Sequence, residues 1–401
     1  MSQQLINHSA DLKRLRDEGY DVETRSSHLL IKNVPYVNSA KEIKFGMLVS
    51  ELSLAGDITV RPCTHVAYFA GDHPCNKDGS EMAKIKHQSQ RQELDRDLVV
   101  NHSFSSKPPE GYNDYYHKMT SYVAIISSPA QSLDPNVTAR TFPIIESKEE
   151  ESVFNYIDTA SSRAEITLVT RKLELGAIGI LGLGGTGSYV LDLVAKTPVR
   201  EIRLFDGDKF SQHNAFRSPG APSIDDLKKE TKKVVYFKDI YSKMHQNIVA
   251  FDCYIDAANV SQLEGLDFIF LCLDGGEAKR LIVEKMEALG IPFVDVGMGV
   301  HLIDNALLGI LRITTSTVKK RDHVRNKQRT SFSDGGGNNE YSRNIQIADL
   351  NALNAALAVI KWKKLYGFYK DFENEHFSAY TIDGNMLTNE DQCEAQNNAQ
   401  T

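Results

Sequence analysis

The stretch that most restricts this chain is Ala177-Ile178-Gly179-Ile180-Leu181-Gly182-Leu183-Gly184-Gly185-Thr186-Gly187-Ser188. A short apolar run ends in four glycines within six residues, and helical spacing follows through Val190, Leu191, Val194 and Ala195. Strand, glycine turn and helix in that order form the setting of a phosphate-binding turn. The glycines let backbone N–H groups approach a ligand with no Cβ in the way. The helix start adds unpaired N–H donors and the positive end of its dipole. Ser188 is the expected N-cap.

Glu201-Ile202-Arg203-Leu204-Phe205 reads as the next strand, and it runs into Asp206-Gly207-Asp208. Asp206 follows Gly187 by 19 residues, a spacing that suits a carboxylate bonding a ribose hydroxyl. A nucleotide is therefore the leading ligand, either a dinucleotide for redox chemistry or ATP for activation.

At 401 residues the chain has room for two or three domains. A net charge of −7 speaks against a general nucleic-acid binder. There is no apolar run long enough to cross a membrane, and Met1-Ser2-Gln3-Gln4 opens no signal-peptide stretch, so a cytoplasmic protein is expected. The five scattered cysteines do not suggest a disulfide framework.

The first part of the chain, 1–145, reads as a smaller α+β domain. Leu5 to Glu18 has helical spacing that Gly19 can end, and His28 to Val34 is a strand closed by Pro35. Tyr122-Val123-Ala124-Ile125-Ile126 is a buried-strand candidate. A boundary falls near Pro143 to Glu151, where Lys148-Glu149-Glu150-Glu151 reads as a solvated helix start.

From 146 to 384, strands and helices alternate, which predicts a Rossmann-like, doubly wound and mostly parallel α/β sheet. The expected strands are Ala177–Leu181, Glu201–Phe205, Ile248–Tyr254, Phe268–Leu273, Phe293–Val296 and Leu307–Thr315. The basic run Lys319 to Arg329 and the stretch Ser333 to Asn339 read as one long mobile loop, Ala348 to Leu365 as a helix, and 385–401 as a disordered tail.

Further candidates follow the turn. Asn214 and Arg217 share a face if that piece is helical, and suit a triphosphate. Lys233 opens a helix and can reach a phosphate. Asp274 ends an apolar strand, where open α/β sheets bind ligands, and an Asp there can hold Mg²⁺.

Taken in order, Gly182-x-Gly184-Gly185-x-Gly187-Ser188, Asp206-x-Asp208, Asn214-x-x-Arg217, Lys233 and Asp274 resemble the ThiF-type adenylyltransferases, which include the ubiquitin-activating enzymes, over about Glu150 to Phe368. The resemblance implies an ATP- and Mg²⁺-dependent enzyme that adenylates the C-terminal carboxylate of a ubiquitin-like or sulfur-carrier protein, with a downstream conjugating partner. The close variant adenylates a peptide. It implies that Asp206 holds the ribose and that Gly184 and Gly185 lie along the phosphates. Asn214, Arg217 and Lys233 would grip the triphosphate, and Asp274 would bind the metal. It also implies a homodimer in which an arginine crosses into the partner's site, and Arg163 occupies the comparable position.

Two features of that family are missing. There is no Cys-x-x-Cys pair for a structural zinc, and no cysteine between Gly297 and Gln392 to take the acyl group as a thioester. An oxygen nucleophile such as Ser331 or Ser333 in the mobile loop is the substitute, though no base is apparent for it. The N-terminal region is similar to an uncharacterised domain fused to ThiF-type domains in bacteria, and is expected to recognise the carrier or acceptor. Its Cys63, His65, His73 and Cys75 have unusual spacing for a zinc site, and core or loop roles are favoured. An NAD-dependent oxidoreductase remains the alternative enzyme class, and a non-catalytic scaffold the third reading.

Overall fold

The computed structural model describes residues 2–147, 152–332 and 345–393. The expected charge run at 148–151, and Ser333 with the glycines after it, lie outside the described residues. Two compact units emerge, one of residues 1–145 with 159–164 and one of 146–158 with 165–401. Among the described residues no helix is long and apolar enough to cross a membrane.

The first unit is a six-stranded antiparallel sheet backed by helices. Helices α1 (Ser2–His8) and α2 (Ala10–Asp17) replace the single helix expected there. The strands are β1 (Val22–Arg25), β2 (His28–Val37), β3 (Ile43–Glu51), β4 (Val66–Ala70), β5 (Lys86–Asp95) and β6 (Leu98–Ser105). They lie in the order β1-β2-β3-β4-β6-β5.

Strand β2 continues through Pro35 instead of ending there. Its pairing with β1 stops at Ile31, so Pro35 pairs with β3 alone and its missing N–H costs no ladder bond. The candidate strand at Tyr122–Ile126 is the middle of helix α3 (Tyr115–Leu133). Its buried positions Tyr115, Met119, Tyr122, Val123, Ile126 and Ala130 keep helical spacing, and the Asp114 side chain caps it by accepting from the His117 N–H at 2.7 Å. Lys118, on the same helix, is fully buried and donates to Ser50 Oγ, Thr64 O and Val66 O at 2.8–2.9 Å. Helix α4 (Thr159–Arg163) completes this unit.

The second unit is built on an eight-stranded sheet. Its strands are β7 (Ala177–Leu181), β8 (Glu201–Phe205), β9 (Ile248–Phe251), β10 (Phe268–Leu271), β11 (Phe293–Ile303), β12 (Ala306–Ser316), β13 (Phe377–Thr381) and β14 (Met386–Glu390). The order is β9-β8-β7-β10-β11-β12-β13-β14. The first five pair in parallel and the rest antiparallel.

All five residues of β7 are buried, as the central strand of a parallel sheet requires. Helices α5 (Gly185–Val194), α6 (Lys233–Tyr241), α7 (Glu277–Leu289) and α8 (Ala348–Leu365) flank the sheet. Chain order reverses between β7 and β10, which opens a crevice at their carboxyl ends.

Two expectations change at the C-terminal side. The basic run is folded: residues 322–326 form a helical turn, Arg325 pairs with Glu287, and Lys327 and Arg329 pair with Asp391. Three of its charges thus meet carboxylates of the same chain. Residues 386–390, expected in a disordered tail, form edge strand β14 on β13.

Candidate active site

The turn after β7 divides its glycines between packing and access. Gly182 has φ +88°, and a Cβ there would lie 2.5 Å from the Cys272 carbonyl oxygen. At Gly187 a Cβ would meet the Gly182 oxygen at 1.8 Å, and at Gly185 the Asn351 amide at 2.0 Å. Gly184 alone of the four faces open space, with nothing within 4 Å. It is also the N-cap of α5, so the free N–H groups of the first turn lie just beyond it. Ser188, the expected cap, is inside the helix and bonds back to the Gly185 carbonyl at 2.8 Å. A side chain at the true cap would close the approach that Gly184 leaves open.

The end of β8 is stitched to this turn. Asp206 is buried, and its two oxygens accept the Leu183 N–H at 2.7 Å and the Asp208 N–H at 2.8 Å. Lys233, at the start of α6, sits 2.6 Å from Asp208 and 3.6 Å from Asp206. The hydrogen bond from Lys233, joined by one from the Tyr254 hydroxyl, holds the Asp208 carboxyl below its ordinary range. The Tyr254 hydroxyl, bonded to Asp208, is in turn pushed up to about 12.

Asn214 lies in the helical turn Gln212–Ala215, where its Oδ1 accepts the Ser211 N–H at 2.8 Å. Its Nδ2 and the Arg217 Nε are buried and have no hydrogen-bond partner among the described residues. Arg217, Lys233, Asp206, Asp208 and Asp274 line one cavity of about 490 Å³ with Gly182, Gly184 and Gly185. That volume is ordinary for a small-molecule site. Asp274 follows the carboxyl end of β10 and is exposed at its wall. Arg163 belongs to the first unit, its guanidinium 5.3 Å from the centroid of the Phe142 ring.

Several lining residues carry no motif and escaped the sequence reading. Asn351 on α8 accepts from the Thr186 hydroxyl at 3.0 Å and donates to the Arg217 carbonyl at 3.2 Å, bracing the turn against the arginine segment. Asn354 donates to the Gly297 carbonyl at 3.2 Å. The only hint in the chain is a pair of asparagines three apart on a helix whose neighbours are apolar. Lys279 and Asp295, which also line the cavity, form a buried pair at 2.6 Å. Burial raises the Asp295 carboxyl against the opposing pull of Lys279. The Cys272 and Cys253 thiols are likewise pushed up by burial, which disfavours the thiolate an acyl transfer would need.

In the first unit the four residues weighed as zinc ligands have other surroundings. His65 Nε2 lies 3.1 Å from Ser105 Oγ, the Cys75 thiol donates to the His73 carbonyl at 3.2 Å, and His73 packs edge-on against His102 and Phe104. Cys63 is exposed. Among the described residues no group of three or more His, Cys, Asp or Glu converges as a metal site.

Comparison with known proteins finds partial matches. Residues 161–309 match the ThiF family, and residues 10–159 match Domain of unknown function (DUF6791). Ubiquitin-like modifier-activating enzyme 5 of Culex quinquefasciatus is 22% identical over 161 residues, and that of Aedes aegypti 21%. The match takes in 37% of this chain and spans 40% of the length of those relatives. Among solved structures, the Microcin C7 biosynthetic enzyme MccB in complex with N-formylated MccA is 17% identical, with a TM-score of 0.46 over 69% of this chain and 80% of that one. PaaA is 20% identical with a TM-score of 0.44, covering 56% of this chain and 75% of that one.

Proposed function

We propose that residues 161–309, a ThiF-family domain, are the core of an ATP-dependent adenylyltransferase that activates the C-terminal carboxylate of a ubiquitin-like protein or a peptide. The observation that carries this reading is the cavity at the mouth of the glycine turn. Arg217 brings to it a buried donor with no partner among the described residues, and Gly184 leaves the helix start open. Buried donors of that kind are costly unless a ligand satisfies them, and a triphosphate has the oxygens to do so.

In this reading the first turn of α5 receives phosphate oxygens, Arg217 and Lys233 neutralise them, and Asp206 and Asp208 lie at the ribose end. Asp274 would hold Mg²⁺, whose chemistry would be neutralisation of phosphate charge. A terminal carboxylate is already ionised at neutral pH, so no general base is required. Positioning and charge stabilisation are the work left to the protein. A homodimer in which Arg163 reaches the partner's site, and transfer of the adenylate to a conjugating protein, belong to the same proposal.

A dinucleotide would offer its pyrophosphate to Arg217 but leaves the Asp274 carboxylate without a role, and is disfavoured on that ground. The direct test is ATP–pyrophosphate exchange with and without an added ubiquitin-like protein or peptide, with intact-mass detection of the adenylate. Nicotinamide dinucleotide binding with no binding of ATP would overturn the proposal.

A further inference from the structure

Arg312 lies on β12 directly opposite Gly297 on β11. A Cβ at Gly297 would sit 3.3 Å from both Nε and one terminal nitrogen of Arg312, so the guanidinium lies where a side chain at 297 would be. Both residues line the cavity described above. From that geometry we infer that Arg312 is a second anion subsite and holds the terminal carboxylate of the chain to be activated. The inference rests on the adenylation reading and deepens it.

The charges around Arg312 carry the argument. Most other cations of the cavity wall are spoken for: Lys233 by Asp208, Lys279 by Asp295, Arg329 by Asp391 and Glu390. Among the described residues Arg312 forms no ion pair, and its buried Nε has no hydrogen-bond partner. Asp295, two residues from Gly297, is held by Lys279 at 2.6 Å. Asp295 also feels the Arg312 charge, but its close partner is Lys279, and one carboxylate cannot neutralise two cations. Arg217 is the other guanidinium in this condition, and it stands by the glycine turn.

Place separates the two. Strand β12 is three strands from β7, which at the usual strand spacing is about 14 Å. Phosphates seated on the turn and Arg217 leave Arg312 for a different anion. The reaction requires one, since a carboxylate must be delivered to the same cavity. A planar guanidinium suits it by bidentate hydrogen bonding.

In the step itself a carboxylate oxygen forms a bond to the α-phosphorus. The bond from that phosphorus to the bridging oxygen breaks, and its electron pair leaves with pyrophosphate. The carboxylate loses its charge as the mixed anhydride forms, so Arg312 holds the substrate and releases the product. Its loss should therefore appear mainly in the KM for the carboxylate substrate.

The test compares Arg312→Met, Arg312→Lys and Arg217→Met with the unaltered protein. Calorimetry with α,β-methylene ATP should give Arg312→Met an affinity within about twofold of the unaltered protein, while Arg217→Met loses about tenfold or more. ATP–pyrophosphate exchange is then driven by a panel of N-acetylated tripeptide acids, with their C-terminal amides as controls. Acids alone should support exchange, and Arg312→Met should raise the half-saturating peptide concentration about 10- to 100-fold, with partial recovery in Arg312→Lys. Equal loss of nucleotide binding in the two Met variants would place Arg312 in the phosphate site and overturn the assignment. So would an unchanged half-saturating concentration, or nucleotide binding with no exchange on any acid, both of which leave the nucleotide reading intact. An unaltered protein that binds no nucleotide would instead sink the adenylation reading.

Discussion

Two alanine substitutions three residues apart, at Gly184 and Gly187, should have opposite consequences. At Gly187 the new Cβ would lie 1.8 Å from the Gly182 oxygen, where real Cβ atoms do not come within 3.0 Å. That oxygen cannot retreat easily. The Gly182 N–H is bonded to Phe205 O at 2.8 Å, and the next N–H, of Leu183, to Asp206 at 2.7 Å. Overpacking of this kind costs about 1–3 kcal/mol. Each turn hydrogen bond lost adds about 1 kcal/mol. The better helix propensity of alanine returns about 1 kcal/mol. The net is about 3 kcal/mol, or about 6–12 °C in Tm for a unit of this size.

Gly184→Ala meets nothing within 4 Å and has φ −69°, which alanine accepts. Its Tm should stay within about 2 °C of the unaltered protein. Its methyl group, however, stands where a phosphate must approach the helix start, so affinity for α,β-methylene ATP should fall about tenfold or more. Thermal unfolding and calorimetry on the two variants decide the matter. Equal Tm values would refute the packing argument, and unimpaired nucleotide binding by Gly184→Ala would refute the phosphate seat.

Asn351→Ala loses its bonds to Thr186 and Arg217 and should cost about 1–2 kcal/mol in urea unfolding. Because a Cβ at Gly185 would strike the Asn351 amide, Gly185→Ala should be cheaper in the Asn351→Ala background, with a coupling of about 1 kcal/mol or more; simple additivity would count against the contact. Lys279→Met strands the Asp295 carboxyl in the core and should destabilise by about 3–5 kcal/mol, whereas adding Asp295→Asn should recover part of the loss. A double variant less stable than Lys279→Met would contradict this. Burial lowers Lys118 to about 8, below its unfolded value of about 10.4, so between those limits the unfolded chain holds the extra proton and stability rises with pH. The rise from this group amounts to about 3 kcal/mol and should vanish in Lys118→Met; identical pH–stability curves for the two proteins would remove the basis for it.

The local order of the second unit was legible in the sequence. An apolar run, glycines at fixed spacing and a helical period dictate strand, turn and helix by themselves, because backbone conformation and one-sided burial are set by adjacent residues. The same local reading failed where the window was too short. Val123-Ala124-Ile125-Ile126 reads as a strand, yet the 3–4 spacing from Tyr115 to Ala130 makes it helical. It also failed where partners are distant: β14 exists because β13 offers it an edge, and the basic run folds because Asp391 and Glu287 receive its charges. Asn351, Lys279, Asp295 and Arg312 reach the cavity from four separate elements, and no spacing along the chain announces that convergence. What the sequence determined by itself was the glycine turn and the sheet it serves. Which charges meet there, and which of them stay uncompensated, only the tertiary structure decided, since electrostatic balance depends on distance in space rather than separation in sequence.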